Sequence, residues 1–129
     1  RSETAKRSKG KRKIKWKTEG GGPFLASPAI SGNRVITGSQ NKTLYCYDAR
    51  NGKLLWKFKA LNKVDASPVI TGDMVIIASI DGRLRFLDIA TGNETWKYEI
   101  GSPVSGTPAV TQKFVVVGAE DGKVYAFGK

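Results

Sequence analysis

Apolar residues fall in short runs along this chain, rich in Val, Ile, Leu and aromatics, and the runs are separated by pairs of turn-forming residues. Several runs alternate, as in Lys13-Ile-Lys-Trp-Lys-Thr-Glu19 and Thr95-Trp-Lys-Tyr-Glu99. Alternation is the period of a strand with one buried face. No window carries a 3.6-residue apolar period, so no helix is expected. The separating pairs are Gly32-Asn33, Asn41-Lys42 and Asn51-Gly52, then Gly72-Asp73, Asp81-Gly82 and Thr91-Gly92. Gly and Asn tolerate the positive φ that tight hairpins demand. The pattern predicts an all-β chain of consecutive antiparallel strands.

A shift of 40 residues aligns the chain with itself without a gap: Trp16, Trp56 and Trp96 coincide, as do Pro28, Pro68 and Pro108. Ala26-Ser-Pro-Ala-Ile30 becomes Ala66-Ser-Pro-Val-Ile70 and then Gly106-Thr-Pro-Ala-Val110. Each copy reads as a four-stranded meander, A to D. Strands are expected near 27–31, 34–39, 43–48 and 53–59, and again near 67–71, 74–79, 83–88 and 94–100. The third copy has A, B and C near 107–111, 114–119 and 123–127. Residues 13–19 match strand D around the tryptophan. The order is D-ABCD-ABCD-ABC, three blades' worth of a β-propeller, since four-stranded repeats of about 40–45 residues indicate that fold. Alternation along strand D places Leu54, Trp56 and Phe58 on one face. The organisation is a segment 1–12, an outer strand 13–19, blades at 24–60 and 64–100, and a partial blade at 104–129.

Charge adds one feature to this picture. The chain has 129 residues and a formal net charge of +11, of which residues 1–17 carry nine Lys or Arg against Glu3 alone. Residues 1–12 hold no apolar anchor and are expected to be a disordered or linker segment. Residues 1–13 could make weak, salt-sensitive, sequence-blind contact with polyanions. They lack the apolar stretch of a signal peptide. There is no His, which excludes Ser-His-Asp and Cys-His triads, and the one cysteine, Cys46, excludes an intrachain disulfide. Cys46 sits among apolar neighbours of strand C and is expected to be a buried, inert thiol.

The repeat resembles the pyrrolo-quinoline quinone-like (PQQ-like) propeller repeat, which includes the BamB-like lipoproteins of bacterial outer-membrane assembly. The residues that carry the likeness are Asp48, Gly52 and Trp56, and Asp88, Thr91, Gly92 and Trp96, which follow the family's A-x-D-x-x-T-G-x-x-x-W pattern. Cys46 and Phe86 depart from it at the Ala position, where Ala126 fits. The resemblance covers about residues 13–129. It implies that these residues, with Trp16, dock each tryptophan between blades. It also implies that an N-terminal strand of type D completes the last blade from outside.

The resemblance favours a periplasmic or envelope setting and a non-enzymatic scaffold that binds a protein or peptide through a rim or strand edge. Alternatives are a ligand-sensing or accessory domain, or a C-terminal fragment of a quinoprotein-like enzyme. No catalytic residue, metal-ligand set or cofactor is assigned. Gly20-Gly-Gly-Pro23 reads as a connection between strands, because no Gly-Lys-Ser/Thr and helix follow it. In an ABCD meander the B–C and D–A connections share a rim, so Gln40, Asn41, Lys42, Asp81, Glu120 and Asp121 are the candidate rim-binding residues. Propellers use about 4–8 blades. Two copies of the chain could therefore close a six-bladed ring, or the chain could be part of a longer propeller.

Overall fold

The computed structural model describes residues 13–24 and 26–128, and the expectation for residues 1–12 lies outside them. Eleven strands occur among the described residues: β1 (Ala29–Ser31), β2 (Arg34–Gly38), β3 (Thr43–Asp48), β4 (Leu54–Lys59), β5 (Val69–Thr71), β6 (Met74–Ala78), β7 (Arg83–Asp88), β8 (Glu94–Glu99), β9 (Ala109–Val110), β10 (Phe114–Gly118) and β11 (Val124–Gly128). They form three antiparallel meanders, β1-β2-β3-β4, β5-β6-β7-β8 and β9-β10-β11. The registers repeat at 40 residues. Ile36 pairs with Cys46 as Ile76 pairs with Phe86, and Thr43 pairs with Lys59 as Arg83 pairs with Glu99.

The sheets stack face to face through two apolar layers. Ile36, Leu44, Cys46, Trp56 and Val64 meet Val75, Ile77, Leu87 and Ile89 between the first and second sheets. Ile76, Ala78, Leu84 and Val104 meet Val115 and Val117 between the second and third. The middle sheet is thus apolar on both sides, which is why Met74-Val-Ile-Ile-Ala78 is continuous rather than alternating.

Two expectations need correction. Residues 13–19 form no strand, because the outer edge they would join, that of β11, lies on the far side of the second sheet. Strand D also does not place Leu54 beside Trp56. A bulge between Cys46 and Tyr47 pairs Cys46 with Trp56 but Tyr47 with Leu54, skipping Leu55. One extra residue reverses the alternation, so Leu54 is 49% exposed while Trp56 is 9% exposed. The same bulge recurs at Thr95.

Candidate functional site

The geometry of the tryptophan seats follows from the turn between the third and fourth strands of each sheet. In the first sheet the Asp48 carboxylate accepts from the Arg50 amide at 2.9 Å and from the Arg50 guanidinium at 2.8 and 3.0 Å. The Gly52 amide donates to Asp48 O at 2.8 Å. The Arg50 bonds, first those of its side chain and then that of its amide, hold the Asp48 carboxyl down at about 2. In the second sheet Thr91 Oγ1 donates to Asp88 at 2.9 Å and the Gly92 amide donates to Asp88 O at 2.7 Å. Asn51 replaces Thr91 in the first turn and accepts from the Lys53 amide, as Thr91 accepts from the Asn93 amide. Each turn presents a glycine with positive φ, +79° at Gly52 and +78° at Gly92. An indole lies against each: Trp16 on Gly52 and Trp56 on Gly92, where a Cβ would fall within 2.6 and 2.4 Å of the rings. Trp16 Nε1 donates to Ala49 O at 2.7 Å, and Trp56 Nε1 to Ile89 O at 2.8 Å.

Trp96 has no such seat among the described residues. It is 39% exposed and packs against Phe86 and Phe127, beside an apolar cleft of about 660 Å³ that Met74 and Ala126 also line.

The B–C turns and D–A connections meet on one rim through a backbone bond that recurs every 40 residues. Gln40, Ile80 and Glu120 amides donate to the carbonyls of Pro23, Lys63 and Pro103. On this rim Gln40 Nε2 reaches Asp65 at 3.4 Å, and Asn41 Nδ2 donates to the Tyr45 hydroxyl at 2.6 Å. That bond, chiefly, holds the Tyr45 phenol below its ordinary value. Asp121 accepts from the Tyr125 hydroxyl at 2.6 Å, which lowers the carboxyl and raises the phenol. Lys42 takes φ +74° where the other repeats have Gly82 and Gly122. Lys42 and Glu120 point to solvent.

Asp81 turns inward. Its side chain is 5% exposed and bonds Ser79 Oγ at 2.6 Å and Arg85 at 3.0 Å, while Arg85 also reaches Glu94 at 3.1 Å. Burial pushes the Asp81 carboxyl up, but the Ser79 hydroxyl and Arg85 outweigh it and leave it lowered. Asp81 Oδ2 also accepts from the Leu61 amide at 3.1 Å, pinning the D–A connection to the turn. Leu61 itself is 64% exposed. Polar and charged residues drew the sequence reading of this rim, so it passed over Leu61. The available signal was an apolar residue where the other repeats have Gly21 and Gly101.

The remaining chemistry is sparse. Cys46 is fully buried, and desolvation pushes its thiol up to about 11, which keeps it protonated and inert. Among the described residues no three Cys, Asp or Glu side chains cluster to hold a metal ion.

A family model described as outer membrane protein assembly factor BamB matches residues 5–129. The chain is similar to the crystal structure of BamB from Moraxella catarrhalis, with 26% identity and a TM-score of 0.81 over 88% of this chain and 36% of that one. It is also similar to the quinohemoprotein alcohol dehydrogenase ADHIIG from Pseudomonas putida HK5, with 23% identity and a TM-score of 0.76 over 88% of this chain and 20% of that one. The second likeness is one of fold alone. No match was found among curated proteins.

Proposed function

Because the chain belongs to the PQQ-like repeat family described as outer membrane protein assembly factor BamB, we propose that it is a non-enzymatic propeller scaffold of the bacterial cell envelope, binding a protein or peptide partner on its B–C/D–A rim. The observation that carries the reading is Leu61, an apolar side chain 64% exposed on a connection whose Leu61 amide donates to the Asp81 carboxylate. Interfaces concentrate their energy in a few apolar anchors surrounded by polar groups. Gln40, Asn41, Lys42 and Lys63 stand on the same rim, with Glu120 and Asp121 further along it. A photo-crosslinking residue at Leu61, expressed in the envelope of a bacterium, is expected to capture an outer-membrane assembly component. The same residue at Asn93, in the C–D turn, is expected to capture none. Equal capture at both positions overturns the rim assignment.

The fold likeness to the dehydrogenase supports a second reading, a fragment of a quinoprotein-like enzyme. Alcohol-dependent dye reduction after addition of the quinone and calcium would favour it over the scaffold. The basic residues 1–13 would add salt-sensitive contact with polyanions. Heparin retention that survives deletion of residues 1–12 excludes that role.

A further inference from the structure

We infer that the rim partner is an acidic protein segment, seated with an apolar side chain on Leu61 and carboxylates on Lys42, Lys59 and Lys63. The inference rests on the rim assignment above and names the chemistry of what binds there.

The 40-residue repeat separates what the fold needs from what it does not. Both four-stranded sheets close this rim with the same backbone bonds. The Ala60 amide donates to the Lys42 carbonyl at 2.7 Å, as the Ile100 amide does to the Gly82 carbonyl. The Ile80 amide donates to the Lys63 carbonyl at 3.1 Å, as the Glu120 amide does to the Pro103 carbonyl at 2.9 Å. Within that shared frame the side chains differ. The first copy has Lys42, Lys59, Leu61 and Lys63 where the second has Gly82, Glu99, Gly101 and Pro103. The second set satisfies the frame, so the frame does not require the first.

Lys42 carries the point furthest. Its φ is +74°, in a region that L-residues avoid, while Gly82 and Gly122 hold the same place at +81° and +83°. The turn uses only the backbone there: the Lys42 amide donates to Ser39 O, as the Gly82 amide donates to Ser79 O. A glycine would keep every such bond and relieve the strain. A side chain kept against the preference of its own backbone points to function rather than to folding.

The four residues are also gathered and free. The Ala60 bond sets Lys42 beside the backbone that runs from Lys59 to Leu61, and Lys63 follows two residues on. All four are exposed. A neighbouring sheet does not cover such a position, since Glu99, at the place of Lys59, keeps a side chain 62% exposed with the first sheet packed before it. None of the three ammonium groups has an ion-pair partner among the described residues. The carboxylates of the same joint are engaged: Asp81 with Ser79 and Arg85, Asp65 with Gln40 Nε2. In the second copy the charge is balanced instead, because Glu99 pairs with Arg83 at 3.3 Å. Complementarity across an interface therefore assigns acidic residues to the partner of the first. A protein segment fits better than a lipid surface. Membrane-binding faces carry several apolar and aromatic side chains, and between Lys59 and Lys63 only Leu61 is an exposed apolar residue.

The test extends the photo-crosslinking at Leu61 in the full chain. The captured segment, located by mass spectrometry, is expected to carry Asp or Glu beside the crosslinked residue. Lys42→Gly, Lys59→Glu and Lys63→Pro together install residues that already fold in the second repeat, and they are expected to reduce capture by about tenfold or more. Lys53→Glu with Lys113→Glu lowers the net charge equally on the opposite rim and should leave capture within about twofold. Lys42→Gly alone separates binding from folding, because it should raise the urea midpoint yet weaken capture by about threefold. Purified chains are also sedimented with vesicles of phosphatidylglycerol and phosphatidylcholine, and the two multiple variants are expected to sediment alike. A captured segment without acidic residues, equal capture by the two multiple variants, undiminished capture by Lys42→Gly, or vesicle binding lost in the first multiple variant alone would each overturn the inference, while capture at Leu61 would still support the rim assignment. No capture at Leu61 in the parent chain overturns the rim assignment and this inference with it.

Discussion

Replacing Gly92 by Ala separates the two demands that a docking turn makes on its glycine. Gly72 provides the comparison, because both residues have positive φ, +78° and +59°, but only Gly92 lies under an indole. A left-handed conformation costs an L-residue about 1–2 kcal/mol, and the stiffer unfolded chain returns about 0.4–1 kcal/mol. Gly72→Ala, whose Cβ meets nothing within 4 Å, should therefore cost between about 0 and about 1.6 kcal/mol. At Gly92 the Cβ would fall 2.4 and 2.5 Å from Trp56 Cε3 and Cδ2. Carbon contacts are optimal near 3.5–4.0 Å, so the ring must retreat by about an ångström. Overpacking of that kind costs about 1–3 kcal/mol, and a strained indole bond to Ile89 O costs about 1 kcal/mol more. Gly92→Ala is thus expected to exceed Gly72→Ala by about 2 kcal/mol or more. Urea unfolding followed by circular dichroism gives both costs. Tryptophan emission gives the mechanism, since unseating Trp56 should shift the native spectrum to the red. Equal costs, or an unshifted native spectrum in Gly92→Ala, would refute the steric account of the docking turn.

Three further outcomes are expected. Lys42→Gly relieves a left-handed lysine at the position of Gly82 and should stabilise the chain by about 0.5–1 kcal/mol in the same assay. Asp81→Ala strands the buried Arg85 with Glu94 and Ser79 as partners and should destabilise by about 3 kcal/mol, measured against Asp121→Ala on the exposed turn. Asp48 has its carboxyl lowered to about 2 from 3.8, so its stabilising contribution is complete above pH 3.8 and is lost as pH falls toward 2. An acid titration by circular dichroism should accordingly show a shallower loss in that window for Asp48→Asn than for the parent chain.

The third strands of the first two sheets were legible in the sequence to the residue, at 43–48 and 83–88, because a turn pair and an aspartate bracket each of them. The docking residues were named from aspartate, glycine and indole at fixed spacing, but that spacing does not say that an indole lies on the glycine of the following repeat, as Trp56 does on Gly92, nor that Trp96 has no such seat among the described residues. What escaped was whatever depends on an inserted residue or on a neighbouring sheet. Counting by twos along strand D cannot register the bulges at Leu55 and Thr95. A charged residue on a strand reads as solvent-facing, yet Arg85 is buried beside Phe58 with its guanidinium 5.3 Å from the ring centre. Asp81 reads as a turn carboxylate, and only the packed structure reveals that Arg85 draws it inward. Residues 13–19 carry the pattern of a strand, but a strand needs a free edge beside it.

The two apolar layers have a consequence for how such a chain changes over generations. The buried layers join each sheet to the next in line. Stability in such an array is a sum of unit terms and nearest-neighbour terms. A unit copied whole brings with it both the face that receives the preceding sheet and the face that meets the following one. Duplication or loss of 40 codons would therefore alter the length of the array while leaving every interior contact of the remaining units intact. Change by whole units keeps these layers between neighbouring sheets, whereas insertion or loss of a single residue in a strand reverses its faces.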